Sequence, residues 1–170
     1  MLTRPCRLVL AGASISGLVS LSDLQKLPVR AALFALITGF EITRAEAIRE
    51  KFVEGESWMA CLNGGRRDLM QDEIAKSKND DGFVDALLFT QFCDKKEIVI
   101  ESFQFGSSKT RLRKRLDKIQ ELRDGIAHAN EYAATPERAK CVCGVVRDML
   151  DLRAQIAAIR FLSTFPPRRG

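Results

Sequence analysis

The sequence contains few of the residues from which metal sites and disulfide frameworks are built. It has one histidine and five cysteines, and the close pair Cys141 and Cys143 is one residue short of the Cys-x-x-Cys spacing. Zinc sites of the Cys/His type need more ligands at regular spacing. We therefore expect no metal site, and we interpret the odd set of cysteines as small buried hydrophobic residues in a reducing cytoplasm.

Repeats, low-complexity segments, a phosphate-binding glycine loop and a nucleophile elbow are also absent from the sequence. We therefore expect no cofactor. What remains is an ordinary globular composition of 170 residues, of which 46% are hydrophobic and 29% are charged. This length and composition favour one domain and argue against disorder.

The sequence has no apolar run long enough to span a bilayer, which needs about 20 residues. Arg4 and Arg7 precede an apolar run over residues 8–21, and this arrangement superficially fits a signal peptide. However, the small residues 11–13 lie inside that run, whereas the cleavage site of a signal peptide lies after its apolar run. We therefore expect a cytoplasmic protein without a membrane partner, with export as the alternative.

The spacing of apolar residues predicts a mainly α fold. Over residues 1–28, short apolar runs alternate with turn residues, which predicts a small α/β segment with two short strands and a helix start at Ser22. Residues 29–165 follow a helical spacing and predict a bundle of four or five helices. Residues 166–170 form a basic tail.

Turn residues indicate where the middle helices begin and end. Gly55 is predicted to end the first long helix, and Asp81 is predicted to cap a helix over residues 83–92. The segment 98–105 is short and rich in β-branched residues, so strand and helix both remain open there.

The last third has the strongest helix signals. Ser107 or Ser108 is a suitable N-cap, and Thr135 followed by Pro136 is a typical start for the final helix. The helix after Ser108 has apolar residues that share one face: Leu112, Leu116, Ile119, Leu122 and Ile126.

All of the basic excess of the chain also lies in this last third. Residues 1–106 carry 13 basic and 15 acidic side chains, whereas residues 107–170 carry 14 and 7, which suggests an anionic partner. Six basic side chains lie away from the apolar face of the helix after Ser108: Lys109, Arg111, Arg113, Lys114, Arg115 and Lys118. This basic stripe suits contacts with an RNA backbone, and a solvated helix face is the alternative.

The only histidine, His128, follows Arg123 by five residues at the end of the same helix. Histidine titrates near neutral pH and can transfer a proton, while arginine stabilises phosphate charge, so the pair suits metal-free cleavage of RNA through the 2′-hydroxyl. A five-residue step separates two side chains by roughly 140° around an ideal helix. Either Gly125 lets the helix distort, or two chains share a groove, and a symmetric dimer would solve the problem most simply. A histidine that is only favoured by the helix C-terminus is the alternative.

The stretch from Arg123 to His128 resembles the R-x4-H motif of the HEPN superfamily, and so do the leucine-spaced helix before it and the long helix after it. The resemblance is best over residues 108–163. It implies a helical bundle that forms a homodimer, and many members are metal-independent endoribonucleases of toxin–antitoxin, phage-defence and RNA-processing systems. By position, Arg123 and His128 would be the catalytic pair, with Asp124 as the polar residue after the arginine.

One departure from the HEPN pattern concerns the position two residues after the histidine. A subgroup of HEPN toxins has tyrosine there, where this chain has Asn130, so the chemistry of that tyrosine is not carried over. Glu41 and Glu46 lie on the first long helix, and an acidic residue there is a candidate to orient Arg123.

Residues 15–24 resemble the end of a CBS repeat, in which a strand is followed by a short helix. In complete CBS modules the residues at the Ser20 and Asp23 positions approach phosphate and ribose, which makes these two residues candidates for nucleotide binding. The alternatives are a small sheet that covers the bundle, or a shortened form of a longer CBS–HEPN protein.

The sequence thus predicts an endoribonuclease that cuts RNA without a metal, acts as a homodimer, and serves as a toxin or defence effector with an antitoxin or regulatory protein as a further partner. The alternative is a non-catalytic HEPN module for dimerisation or nucleotide-linked regulation. In a nuclease, Arg123 and His128 should both be accessible to solvent and should lie together in a basic groove at the dimer axis. In the binding module, His128 would be buried or would face away from Arg123.

Overall fold

The computed structural model describes residues 6–53, 55–79, 85–128 and 130–164, and it is mainly helical, as predicted. The two strands are β1 (Cys6–Ala11) and β2 (Ser14–Ser20). The helices are α1 (Leu27–Lys51), α2 (Gly64–Asn79), α3 (Phe92–Ser102), α4 (Lys109–Ala127) and α5 (Pro136–Thr164). Short 3₁₀ helices lie at Leu21–Gln25, Ser57–Cys61 and Ala86–Phe89.

The strands form an antiparallel hairpin, which agrees with the predicted N-terminal α/β segment. Gly12, in the two-residue connection, has a φ of +62°, a conformation that glycine adopts without steric cost. The register shifts between the pairs Val9–Gly17 and Leu10–Ile15, where the pairing skips Ser16 of β2. Large apolar side chains remain exposed over most of the hairpin, and Leu10, Ile15 and Leu18 are each more than half exposed.

The first long helix, α1, begins and ends earlier than the sequence predicted. Pro28 lies in the first turn of α1 and therefore does not interrupt it, because the backbone N–H groups of a first turn have no acceptor within the helix. At the other end, Phe52 leaves helical geometry, and its partly buried side chain packs against the core. Gly55 lies three residues further on in a turn, so the prediction that it ends the helix was wrong.

The structure replaces the helix predicted over residues 83–92 with two shorter ones. Asp81 and residues 83 and 84 lie outside the described residues, so that cap remains a prediction. Beyond them, a 3₁₀ helix capped by Asp85 ends at Phe89, and its last backbone hydrogen bond runs from the amide of Thr90 to the carbonyl of Leu87. A new helix, α3, then starts where Asp94 accepts a hydrogen bond from the amide of Gln91. The ambiguous segment after residue 98 is helical as far as Ser102.

The core lies where α1, α3, α4 and α5 pack together. The predicted starts of α4 and α5 are confirmed. The side chain of Ser108 accepts a hydrogen bond from the backbone amide of Arg111, and that of Thr135 accepts one from the amide of Arg138. All five residues of the predicted apolar face of α4 are buried: Leu112, Leu116, Ile119, Leu122 and Ile126. This packing positions the far end of α4, which carries the arginine and the histidine, at the rim of the bundle.

The four cysteines whose side chains the structure describes do not follow the prediction of small buried residues. Cys61, Cys93 and Cys143 are half-buried, and Cys141 is exposed. In α5, the fully buried positions are taken by larger apolar side chains such as Met149 and Leu152. Among the described residues, no helix combines the length and the apolar composition needed to cross a membrane.

Candidate functional site

Arg123 and His128 lie on either side of the last turn of α4. His128 is the residue at which the helix ends, and its backbone amide still donates to the carbonyl of Asp124 at 3.0 Å. The amide of Asn130 then donates to the carbonyl of Gly125, which closes the helix end. Backbone hydrogen bonds therefore continue past the end of the helix to Asn130.

Both side chains of the motif reach solvent. The side chain of Arg123 is 43% exposed, and His128 is exposed. The Nη1 of Arg123 donates to Oδ1 of Asp124 at 3.0 Å. Within the described residues no hydrogen bond joins Arg123 to His128, which agrees with the five-residue step between them. The two groups of one chain thus lie at the same helix end without a hydrogen bond between them.

The first long helix does not supply a carboxylate to Arg123. Glu41 accepts a hydrogen bond from Lys95 at 3.2 Å, and Glu46 accepts one from Arg160 at 2.8 Å. The prediction that one of these acids orients Arg123 was therefore wrong. In the structure, the carboxylate that accepts a hydrogen bond from Arg123 is that of Asp124, the next residue in the sequence.

A groove of about 580 Å³ lies beside this helix end, between α4 and α5. The two helices run antiparallel, since Arg115 meets Asp148 while Gly125, ten residues later, lies beside Tyr132. The groove is lined by residues that include Lys118, Leu122, Gly125, Tyr132, Cys141 and Val145. Its charged lining is balanced, with Lys118 and Arg138 against Glu121 and Asp148, and neither Arg123 nor His128 is among its lining residues.

The loop after α4 is held by residues that the sequence did not single out. The hydroxyl of Tyr132 donates to the carbonyl of Leu24, and Arg30 lies 5.2 Å from the centre of the Tyr132 ring. Arg30 also donates to the carbonyl of Asn130 at 3.1 Å. Residues near the start of α1 therefore fix the segment that follows His128, and only the rarity of tyrosine in this sequence could have drawn attention to it.

The basic stripe of α4 divides into paired and unpaired residues. Lys109 and Arg113 form ion pairs with Glu101 and Glu97 of α3. On the other side, Arg115 bridges two acids of α5, Asp148 and Asp151, at 2.7 and 2.6 Å. Three exposed residues of the stripe form no ion pair within the described ranges: Arg111, Lys114 and Lys118. The predicted stripe of six is thus reduced to three cations that are available to a partner.

Ser20 and Asp23 have a structural role at the end of the hairpin. The carboxylate of Asp23 accepts hydrogen bonds from the amide and the hydroxyl of Ser20, and it forms an ion pair with Lys26. The hydrogen bond from Lys26, followed by the one from the Ser20 amide, lowers the pKa of Asp23 to about 2. This capping arrangement already occupies the carboxylate, and nucleotide binding by the two residues stays a prediction.

Among the residues that the structure describes, no three His, Cys, Asp or Glu side chains are grouped so that they could hold a metal ion. Compared with known proteins, the chain matches no family model, no curated protein and no solved structure. Function is therefore inferred from the geometry of this site and from the resemblance of its motif.

Proposed function

We propose that this protein is a metal-independent endoribonuclease of the HEPN type that acts as a homodimer. One observation carries the proposal: Arg123 and His128 both reach solvent at the end of α4. Both side chains are accessible, as a nuclease requires. Within one chain they do not lie together in a basic groove, so the proposal needs a second protomer to complete the site.

The two side chains suit the chemistry of RNA cleavage. The 2′-oxygen of a ribose attacks the adjacent phosphorus while His128 accepts the 2′-hydroxyl proton, and the bond from phosphorus to the 5′-oxygen breaks. The leaving 5′-oxygen takes up a proton from solvent or from the second histidine of the dimer. Arg123 stabilises the additional negative charge on the phosphoryl oxygens. The products are a 2′,3′-cyclic phosphate and a 5′-hydroxyl.

A second copy of the chain solves the geometric problem of the pair. Because the side chains of Arg123 and His128 point in directions roughly 140° apart on an ideal helix, one chain cannot easily place both on the same phosphate. A twofold axis near the end of α4 would bring Arg123 of one protomer opposite His128 of its partner. The unpaired cations Arg111, Lys114 and Lys118 would extend the RNA path along α4.

The direct test is cleavage of a mixed RNA substrate by purified protein in the presence of EDTA. The wild type should cut, and His128→Ala and Arg123→Ala should each lose at least about a hundredfold in rate, which is the scale of a lost proton-transfer or oxyanion-stabilising group. Arg147→Ala is the matched control, because Arg147 is an exposed arginine on α5. Equal inactivity of the wild type and all variants across several RNAs would contradict the proposal.

The second candidate is a non-catalytic interaction module, and the hairpin favours it. Leu10, Ile15 and Leu18 are more than half exposed, and a two-stranded hairpin is marginally stable without a surface to pack on. In this case Leu18→Asp should abolish partner binding or dimer formation while His128→Ala leaves both unchanged. Light scattering of the two variants distinguishes this role from the nuclease.

A further inference from the structure

The face of α1 that points away from the core carries a row of uncharged residues over about four turns. The row follows steps of three and four residues along the helix and consists of Leu27, Ala31, Phe34, Thr38 and Ile42. Its three large residues are exposed, Leu27 by 77% and both Phe34 and Ile42 by 53%. We call this row the α1 seam. It takes no part in the site proposed at the end of α4.

Exposed charges flank the α1 seam only at its two ends. Lys26 precedes the seam with a side chain that is 70% exposed, and Glu46 follows it with one that is 47% exposed. Between these two residues, Arg30 and Glu41 are half-buried, and Arg44 is buried. Single exposed apolar residues are ordinary on a protein surface, but a charge-free apolar row of this length is typical of an interaction surface.

The order of side-chain sizes along the α1 seam is the same from either end. A large residue stands at each end, a small one comes next, and Phe34 lies beside the small Ala35 in the middle. When two such helices pack antiparallel about a twofold axis, Leu27 meets Ile42 of the partner subunit. In the same register Phe34 lies over Ala35 of the partner subunit, and the small residues on either side let the two helices approach closely.

The charges at the ends favour this antiparallel arrangement over a parallel one. Antiparallel packing brings Lys26 of one protomer toward Glu46 of the partner subunit, whereas parallel packing would bring each charge toward its like. Within one chain Lys26 binds Asp23 and Glu46 binds Arg160, and both side chains keep exposed surface for a second contact. The α1 seam is therefore complementary to a second copy of itself in both size and charge.

The neighbouring helix α5 widens the surface around the α1 seam. A standard interface takes about 800 Å² from each partner, and a helix face about 24 Å long is smaller than that. Nη1 of Arg153 lies 4.0 Å from the position of a Cβ on Gly39, and Arg160 binds Glu46, so α5 runs parallel to α1. Leu150, one turn before Arg153, is 49% exposed and lies level with the middle of the seam.

We propose that the α1 seam binds the α1 seam of a second copy of this chain, antiparallel and across a twofold axis. Because the seam lies on the side of α1 opposite the core, this interface is separate from the one that the nuclease needs at the end of α4. A chain that forms both contacts assembles into particles larger than a dimer, and a chain that forms only this one assembles into dimers. The inference is therefore independent of nuclease activity.

The experiment measures the mass of the purified full chain by light scattering. The wild type should have at least twice the mass of Phe34→Asp, because this variant places like charges against each other near the axis. Leu69→Asp is the matched control, since Leu69 is a 57% exposed residue of α2, and it should keep the mass of the wild type. A Phe34→Asp variant with the mass of the wild type would overturn the proposal. A monomeric wild type would also overturn it and would leave the seam to a different partner.

A charge exchange tests the antiparallel register and keeps the proposal falsifiable if Phe34→Asp does not fold. Leu27→Glu and Ile42→Lys should each raise the Kd of self-association, measured by sedimentation equilibrium, at least about tenfold, because each places an unpaired charge in the interface. The double variant should recover most of this loss, since the two new charges then meet across the axis. Within one chain these positions are about 22 Å apart and cannot pair. A double variant that binds no more tightly than either single variant would overturn the proposal.

Discussion

The hydroxyl of Tyr132 donates a hydrogen bond to the backbone carbonyl of Leu24, more than one hundred residues earlier in the chain. This bond joins the loop that follows His128 to the 3₁₀ helix between the hairpin and α1. Arg30 strengthens the same junction through its contact with the Tyr132 ring and its hydrogen bond to Asn130. These contacts therefore join the segment around Leu24 and Arg30 to the loop that follows the proposed catalytic end of α4.

We expect Tyr132→Phe to lower the free energy of unfolding by about 1 kcal/mol, because it removes one hydrogen bond and leaves the Leu24 carbonyl without that donor. Urea unfolding measures the change. If the junction positions the catalytic pair, RNA cleavage should fall as well. A variant with the midpoint and the cleavage rate of the wild type would show that this bond contributes nothing to either property.

Gly125 and Gly144 are helical glycines on opposite sides of the groove, and alanine should affect them differently. A Cβ at Gly125 would lie 3.2 Å from the Cβ of Tyr132, whereas a Cβ at Gly144 would meet no described atom within 4 Å. Gly144→Ala should therefore stabilise the protein by roughly 0.5–1 kcal/mol through helix propensity. Gly125→Ala should stabilise the protein less, or should destabilise it, because the added methyl group displaces Tyr132. Equal stabilisation in thermal unfolding would show that Tyr132 moves without cost.

The capping carboxylate of Asp23 should make stability depend on pH in the acid range. Its pKa of about 2 lies below the ordinary value of 3.8, so its contribution is present above pH 4 and is lost as the pH falls from about 4 to 2. Asp23→Asn removes this contribution. The difference in stability between the wild type and the variant should therefore shrink over that interval, and a constant difference in acid titrations of Tm would exclude this linkage.

The three unpaired cations of α4 should contribute to RNA binding through phosphate contacts. In a His128→Ala background that prevents cleavage, replacing Arg111, Lys114 and Lys118 by glutamine should reduce the slope of log Kobs against log salt by about 2, at roughly 0.7 for each contact with a single strand. Lys109→Gln is the control, because Lys109 is paired with Glu101. An unchanged slope in the triple variant, measured by fluorescence anisotropy, would place the RNA elsewhere.

Local sequence signals were enough to predict the two helices in the last third of the chain. Ser108 and the pair Thr135 and Pro136 act through hydrogen bonds and φ preferences within a few residues, so their effect is visible in the sequence. The five buried positions of α4 follow from the helical period alone. The helix predicted over residues 83–92 was wrong because the interruption at Thr90 and Gln91 depends on side-chain bonds that compete with helix continuation.

The sequence by itself determined the helical class of this protein, the apolar face of α4 and the residues proposed for catalysis. Only the tertiary structure decided which basic side chains are paired, that Arg44 is buried without acceptors, and that Tyr132 bonds to Leu24. The physical reason is that helical spacing depends on neighbours three or four residues apart. The partners of a charge or a donor depend on which distant segment packs against it, and this is fixed only when the whole chain has folded.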